Sequence, residues 1–199
     1  GFQHRTIKGL SRDEFRDDLL RAQETIESAS GQKLLGYRIA DQWLGPKDLW
    51  VLDVLAEEGY AYDSSVLPLF NRFSDEPYRR FVHRQSTPSG SILEVPPSST
   101  RLMGCCLPIA GGNWFRQLPH TLLKKGVKSW DEQYADPFVM YFHIWELDPD
   151  QPRISAVDRL SRIRHYRNLD KMQWVLEDHL SKYRFSSVAD RLGLKTEHV

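Results

Sequence analysis

The sequence predicts an α/β fold, built on a parallel sheet or barrel, with an antiparallel excursion around residues 70–110. Segments whose apolar residues recur at helical spacing alternate along the chain with short apolar segments typical of strands. Phe138–Phe142 is a continuous apolar run, as in a strand that is buried on both faces of a parallel sheet. The 199 residues are enough for one domain, which we place over residues 1–199.

The first half of the chain opens with a strong helix signal. Ser11-x-x-Glu14 is a capping box, apolar residues follow it at helical spacing, and Gly31 is typical of a helix end. A second helix is expected to stop at Gly59. The elements predicted after the first helix are a strand, a helix and a strand: Leu34–Arg38, Asp48–Glu58 and Tyr60–Asp63.

The second half begins with a candidate hairpin. Phe81–Arg84 and Ile92–Val95 can pair across the turn Thr87–Gly90. The remaining predicted elements are a short helix, the buried strand, a long helix capped by Asn168 and a final strand: Pro119–Lys125, Phe138–Phe142, Leu169–Tyr183 and Arg184–Val188.

Three polar residues fall at the carboxyl ends of predicted strands: Arg38, Asp63 and His143. In a (β/α) barrel, functional residues gather at those ends. An arginine there can hold a carboxylate in a bidentate geometry, and a partly desolvated histidine can transfer protons near neutral pH. Each residue also has an ordinary interpretation: a surface ion pair for Arg38, a turn cap for Asp63, and a core histidine bonded to the backbone for His143.

The composition excludes several classes of partner and scaffold. Lys plus Arg and Asp plus Glu both number 27, so the net charge is zero and nothing favours nucleic acid or an anionic membrane. No stretch is apolar for long enough to span a bilayer. The two cysteines, Cys105 and Cys106, are adjacent, which fits neither a zinc knuckle nor a disulfide-built scaffold.

Six short motifs follow one another along the chain, and together they resemble a known family. They are Gly1–His4, Gly36–Arg38, Tyr62–Ser65, Gly111–Arg116, His143–Arg153 and Arg164–Leu169. In amino-acid sequence and in order along the chain, they are similar to the motifs of the polysaccharide deacetylases of the NodB-homology type, carbohydrate esterase family four. The likeness is closer to the subgroup found near exopolysaccharide and exosortase gene clusters, and it runs from Gly1 to about Ser187.

The chain departs from that family at several positions. Ala40 and Ile144 stand where the family has prolines, and Asn113 stands where it has a glycine. The early Thr-Phe-Asp-Asp-Gly strand, which in the family carries a metal-binding Asp and the Asp that acts as base, has no counterpart. The resemblance therefore implies an irregular (β/α) barrel of the NodB type that is incomplete at its N-terminal side, and we expect the natural protein to have residues before Gly1.

The resemblance also implies a mechanism with a divalent metal, usually zinc, held by one Asp and two His. His4 corresponds to one of the two metal-binding histidines. His143 corresponds to the general acid that protonates the departing amine, and Arg38 to the residue that orients the base. Residues implied at the sugar site are Asp63, Trp114, Arg116 and Trp145. With one metal ligand of three and no base, the 199 residues alone are expected to be inactive.

The function expected from this resemblance is removal of N-acetyl groups from an acetylated glycan, without a nucleic-acid partner. The alternatives are a catalytically incomplete glycan-binding module and a structural partner in polysaccharide assembly. The substrate stays open among exopolysaccharide, peptidoglycan, chitin oligomers and a small cyclic amide, and the compartment stays open too. A barrel that lacks its first strands exposes sheet edges, so we expect pairing with a second copy or with a complementary N-terminal fragment.

Overall fold

A computed structural model describes residues 2–40, 43–69, 72–102, 105–153 and 158–195. The chain divides into two compact units. The first unit is Gly1–Pro96 with Ser186–Val199, and the second unit is Pro97–Phe185. No helix within the described ranges is both long enough and apolar enough to cross a bilayer.

The first unit combines the helices α1, α2 and a short α7 with a four-stranded sheet. In the sheet the strand order is β1-β2-β4-β3, with β1, β2 and β4 parallel and β3 antiparallel to β4 at the edge. The elements are α1 (Arg12–Ser30), β1 (Gly36–Tyr37), α2 (Trp50–Glu57), β2 (Tyr62–Asp63), β3 (His83–Thr87), β4 (Gly90–Glu94) and the short α7 (Val188–Arg191), with 3-10 turns at Ile7–Gly9, Pro46–Asp48 and Pro77–Arg80.

The capping box predicted for α1 is confirmed. The Ser11 hydroxyl accepts a hydrogen bond from the Glu14 amide at 3.3 Å, and the Glu14 carboxylate accepts one from the Ser11 amide at 2.8 Å. The helix ends at Gly31, whose φ of 66° lies in the left-handed region that favours glycine. The hairpin is confirmed as well, since β3 and β4 pair from His83–Glu94 to Thr87–Gly90.

A single hydrophobic cluster joins α1 and α2 to the sheet. Phe15 packs edge-to-face against Tyr37 and Trp50, with ring centroids 5.9 and 5.7 Å apart. Fully buried side chains of this kind each contribute about 1.5–3 kcal/mol by leaving water. The cluster thus fixes the strand ends that carry Arg38 and Asp63. Its other fully buried members include Leu19, Leu44, Val51, Leu52, Val54, Leu55, Val66 and Ile92.

The second unit is mostly helical. Its elements are the antiparallel pair β5 (Ser99–Leu102) and β6 (Cys105–Pro108), α3 (Gly112–Gln117), α4 (His120–Gln133), a 3-10 turn at Ile144–Leu147, α5 (Arg159–Tyr166) and α6 (Asp170–Leu180). A buried cluster holds α3, α4 and α6 together: Phe115, Leu123, Met172, Val175 and Leu176.

Two strand predictions in the second half were wrong. Phe138–Phe142 forms no ladder; the Val139 carbonyl accepts from the Ser98 amide at 3.0 Å, and the Tyr141 carbonyl accepts from Gly112 at 3.0 Å. Arg184–Val188 is not a strand either, because the Ser187 hydroxyl accepts from the Asp190 amide and starts α7.

Two helix predictions need correction at their ends. The helix placed at Pro119–Lys125 continues to Gln133. Asn168 does not cap α6: its φ is 54°, and its side-chain amide donates to the Arg116 carbonyl at 2.8 Å. The barrel and the single domain over residues 1–199 stay predictions.

Candidate functional site

Three of the sequence motifs meet in the second unit at a buried ion pair. Arg116, on α3, donates from Nε and from a terminal nitrogen to Oε1 of Glu146, both at 3.0 Å. Each side chain is only 1% exposed. The other terminal nitrogen of Arg116 donates to the carbonyls of His165 and Arg167, both at 2.9 Å. Because the buried charges are paired and hydrogen-bonded, the guanidinium can hold Glu146 firmly in one position.

The two glycines before Arg116 make room for this pair. Gly111 has a φ of 124°, and a Cβ built on it would lie 2.6 Å from the Tyr141 ring. A Cβ built on Gly112 would overlap the Glu146 carboxylate itself. The start of α3 therefore packs directly on Glu146 and Tyr141, and a side chain at either glycine would push them away.

Glu146 in turn fixes the position of His143. The Glu146 Oε2 atom accepts a hydrogen bond from the His143 amide at 3.0 Å and lies 3.5 Å from Nδ1 of the His143 ring. The His143 side chain is 53% exposed. With Nδ1 beside a buried carboxylate, Nε2 is the ring nitrogen left for a ligand.

Trp145 connects His143 to a second histidine. Its indole stacks on the His143 ring at 5.5 Å and on the His165 ring at 4.2 Å. The Gln151 amide donates to the Trp145 carbonyl, so its oxygen faces Nε2 of His165 at 3.0 Å as an acceptor. His165 therefore carries its proton on Nε2, and burial, aided by the nearby Arg116 charge, lowers the pKa of His165.

The predicted sugar-site residues of this unit differ in exposure. Arg116 is buried and fully engaged by Glu146 and backbone carbonyls. Trp114 is half-buried on α3, and Trp145 is half-buried between imidazole rings. Their contact with a sugar stays a prediction. His165 and Gln151, which complete the cluster, were missed by sequence reasoning, although both lie inside quoted motifs.

The first unit contains a second polar cluster, at the carboxyl ends of its parallel strands. Asp63 and Glu94 are register partners on β2 and β4, and both are fully buried. The Asp63 carboxylate accepts from the amide and the hydroxyl of Ser65, at 2.8 and 2.7 Å. Glu94 Oε1 accepts from the Val66 amide at 3.0 Å. Sequence reasoning missed Glu94. The alternation of apolar and polar residues along β4 does not show whether a glutamate at its end is buried or exposed.

Two carboxyl groups this close cannot both ionise easily in a buried site. Burial, together with the charge of Asp63, raises the pKa of Glu94 well above its usual value, and burial also raises the pKa of Asp63. No N–H or O–H donor in the described ranges reaches Glu94 Oε2. A proton held on that oxygen and donated to Asp63 satisfies both groups. The hydrogen bonds from Ser65 favour Asp63 as the ionised partner.

Arg38 follows β1 at the same edge of the sheet. One terminal nitrogen donates to the Ser64 hydroxyl at 3.1 Å, and the guanidinium lies 4.7 Å from the centre of the Trp43 ring. Ser64 donates onward to the Val95 carbonyl at 2.6 Å. Arg38 and Asp63 therefore belong to one connected polar edge; the roles predicted for them, orienting a base and binding substrate, stay predictions.

His4 lies in an exposed segment that is attached to α1. The Gln3 amide donates to the buried Asp18 carboxylate at 2.8 Å, and His4 adopts a φ of 56°. Within the described part of the chain, no three His, Cys, Asp or Glu side chains are grouped so that they could hold a metal ion. These residues do not by themselves fit the ligand set implied for zinc, so His4 as a ligand stays a prediction.

Comparison with known proteins gives one match. A family model described as a domain of unknown function, DUF3473, matches residues 64–192, which is well over half of the chain. No curated protein and no solved structure matches. The matched span includes the whole second unit, with the Arg116–Glu146 pair and His143. The chain belongs to the DUF3473 family.

Proposed function

We propose that this chain forms part of a polysaccharide deacetylase that removes N-acetyl groups from a glycan, with His143 as the general acid. The observation that carries the proposal is the placement of His143. Its imidazole is half-exposed, and its Nδ1 faces a carboxylate that is buried and anchored by Arg116. The sequence resemblance assigns the proton-donating role to the same residue.

This arrangement suits a proton donor because a carboxylate beside Nδ1 fixes the orientation of the imidazole ring and leaves Nε2 facing outward. Deacetylation adds water across the amide: the water oxygen bonds to the acetyl carbon and the carbon–nitrogen bond breaks. The departing nitrogen needs one proton to leave as an amine, and Nε2 of His143 supplies it. Glu146 does not take part in the proton transfer and acts as a positioning residue.

A divalent metal, when bound, would polarise the acetamide carbonyl and acidify the attacking water. In this proposal His4 is the metal ligand contributed by the chain, and Arg38 orients a carboxylate base. Arg116, being buried, acts on the sugar site through the Glu146 carboxylate that it holds. Trp145 provides an aromatic surface beside His143, and Trp114 is proposed to contact the sugar.

The proposal is tested by acetate release from N-acetylated oligosaccharides, with the natural full-length protein loaded with zinc. His143→Ala should lower turnover by about 10²–10⁴-fold while the metal content stays unchanged, since His143 is not a ligand. Ile144→Ala, at an adjacent side chain that is 85% exposed, is the matched control and should keep its activity. Wild-type protein that binds glycans but releases no acetate would favour the binding module instead. Full activity of His143→Ala would remove this residue from the mechanism.

A further inference from the structure

His165 belongs to a series of three stacked rings in the second unit. The planes of the His143 and Trp145 rings are 25° apart with their centroids at 5.5 Å, and those of Trp145 and His165 are 13° apart with their centroids at 4.2 Å. Offset, stacked rings at such distances attract one another. The Trp145 indole therefore connects two imidazoles, of which only His143 has a role in the proposed reaction.

The His143 ring needs a second contact besides Glu146. Its Nδ1 lies 3.5 Å from Oε2 of Glu146, which is longer than the roughly 2.7–3.2 Å of an ordinary hydrogen bond. That contact selects the ring edge that faces the carboxylate. It holds the ring plane only loosely, because the last torsion of a histidine has broad minima and the side chain is 53% exposed. The face of Trp145 limits the remaining rotation, so the direction of Nε2 depends on where the indole lies.

His165 holds the indole of Trp145 in turn. Its ring is the nearer of the two imidazoles and is almost parallel to the indole. The guanidinium carbon of Arg116 also lies near, at 5.3 Å from the centre of the indole. A flat ring in contact with the indole limits its tilt, whereas a small side chain at the same place would leave a gap beside Trp145.

His165 is itself anchored at its ring and at its backbone. The side-chain amide of Gln151 donates to the carbonyls of Trp145 and Asp148, at 2.8 and 2.9 Å, and its oxygen accepts from Nε2 of His165 at 3.0 Å. The backbone carbonyl of His165 accepts from Arg116 at 2.9 Å. The same guanidinium holds the buried carboxylate beside Nδ1 of the exposed histidine. Both neighbours of that histidine are therefore tied to one rigid cluster.

We infer that His165 is a positioning residue for His143: it fixes the Trp145 indole, and the indole fixes the plane of the proton-donating imidazole. His165 donates its Nε2 proton to Gln151 and needs no contact with the glycan. The inference rests on the proposed deacetylation and deepens it by naming a residue that acts on the proton donor at a distance.

NMR of the full-length protein tests the stacking without any turnover. The Cε1–H and Cδ2–H signals of His143 are assigned by their loss in His143→Ala, and the ring current of Trp145 should shift them upfield. His165→Ala should move them toward their positions in the unfolded protein. His165→Phe, whose ring can still stack on Trp145, should leave them close to wild type. Leu160→Ala is the control, because Leu160 lies on the same helix and is 79% exposed.

Acetate release from an N-acetylated oligosaccharide tests the consequence. His165→Ala should lower kcat/KM by up to about 10²-fold, since misplacing a catalytic group by about 1 Å has effects of that size. His165→Phe should recover most of this loss, and 4-nitrophenyl acetate, whose phenolate leaves without a proton, should be hydrolysed at nearly the wild-type rate by both variants. Thermal melting checks the fold. If His165→Ala does not fold, Gln151→Ala, which loosens the same ring, takes its place.

Three outcomes would overturn the inference: unchanged His143 signals in His165→Ala, an unchanged amide rate in that variant while His143→Ala is inactive, or an equal loss in His165→Phe. The second outcome leaves the proposed deacetylation standing. Absence of acetate release by the wild type would instead defeat the deacetylation, and the NMR signals would still decide whether His165 holds the His143 ring.

Discussion

The two units bury ionisable side chains in opposite ways. In the second unit Glu146 is neutralised by the guanidinium of Arg116, and both charges remain. In the first unit Asp63 and Glu94 lie side by side, and a proton is the neutralising group. The first arrangement fixes an exposed histidine, whereas the second joins two strand ends. The comparison teaches that a buried carboxylate can be satisfied by an arginine, which leaves one of its oxygens to hold a third group, or by a proton shared with a second carboxylate.

Removing the charge of Glu146 should have the largest effect on stability. Glu146→Gln leaves Arg116 buried without its counter-charge, which typically costs about 3–5 kcal/mol. Glu132→Gln is the matched control, because Glu132 is 61% exposed and pairs with Lys128 on the surface. Urea unfolding of both variants measures the difference in the free energy of unfolding. Equal losses for the two variants would show that the buried pair has no special role.

A methyl group at Gly112 should disturb the same pair by steric means. Gly112→Ala places a Cβ where the Glu146 carboxylate lies, so a loss of about 1–3 kcal/mol is expected. Gly9→Ala is the control, since a Cβ there meets nothing within 4 Å. Thermal melting compares the two variants. If Gly112→Ala melts like Gly9→Ala, the close approach of α3 to Glu146 is not required.

The carboxyl pair should give the first unit a characteristic pH dependence. The folded chain holds a proton on Glu94 that the unfolded chain releases at its lower, ordinary pKa. The stabilisation is therefore complete below the ordinary pKa and is lost as pH rises toward the raised pKa, at up to about 1.4 kcal/mol per pH unit. Glu94→Gln keeps a donor to Asp63 without a titrating proton. Its stability relative to wild type, measured by urea unfolding, should rise between pH 5 and 8; parallel curves would contradict the shared proton.

Local signals in the sequence predicted the fold elements well. The capping box of α1 and the turn of the β3–β4 hairpin depend on residues a few positions apart, so both could be identified without a structure. Phe138–Phe142 failed as a strand because an apolar run shows burial, whereas a strand also needs a partner, and the partner is not encoded locally.

The site was predictable only in part, for the same reason. The resemblance indicated His143, Arg116 and Trp145, but it could not show that Arg116 reaches Glu146, thirty positions away along the chain. Glu94 was missed because its burial depends on pairing with Asp63 from another strand. Contacts between distant segments decide which carboxylates are buried, and a single sequence does not report them.

The central claim is that His143, held by Glu146, donates the proton to the leaving group. A direct test compares two substrates in the zinc-loaded full-length protein: an N-acetylated oligosaccharide, whose amine needs a proton to leave, and 4-nitrophenyl acetate, whose phenolate does not. We predict that His143→Ala loses about 10²–10⁴-fold in kcat/KM on the amide and little on the ester. An equal loss on both substrates, or no loss on the amide, would contradict the account.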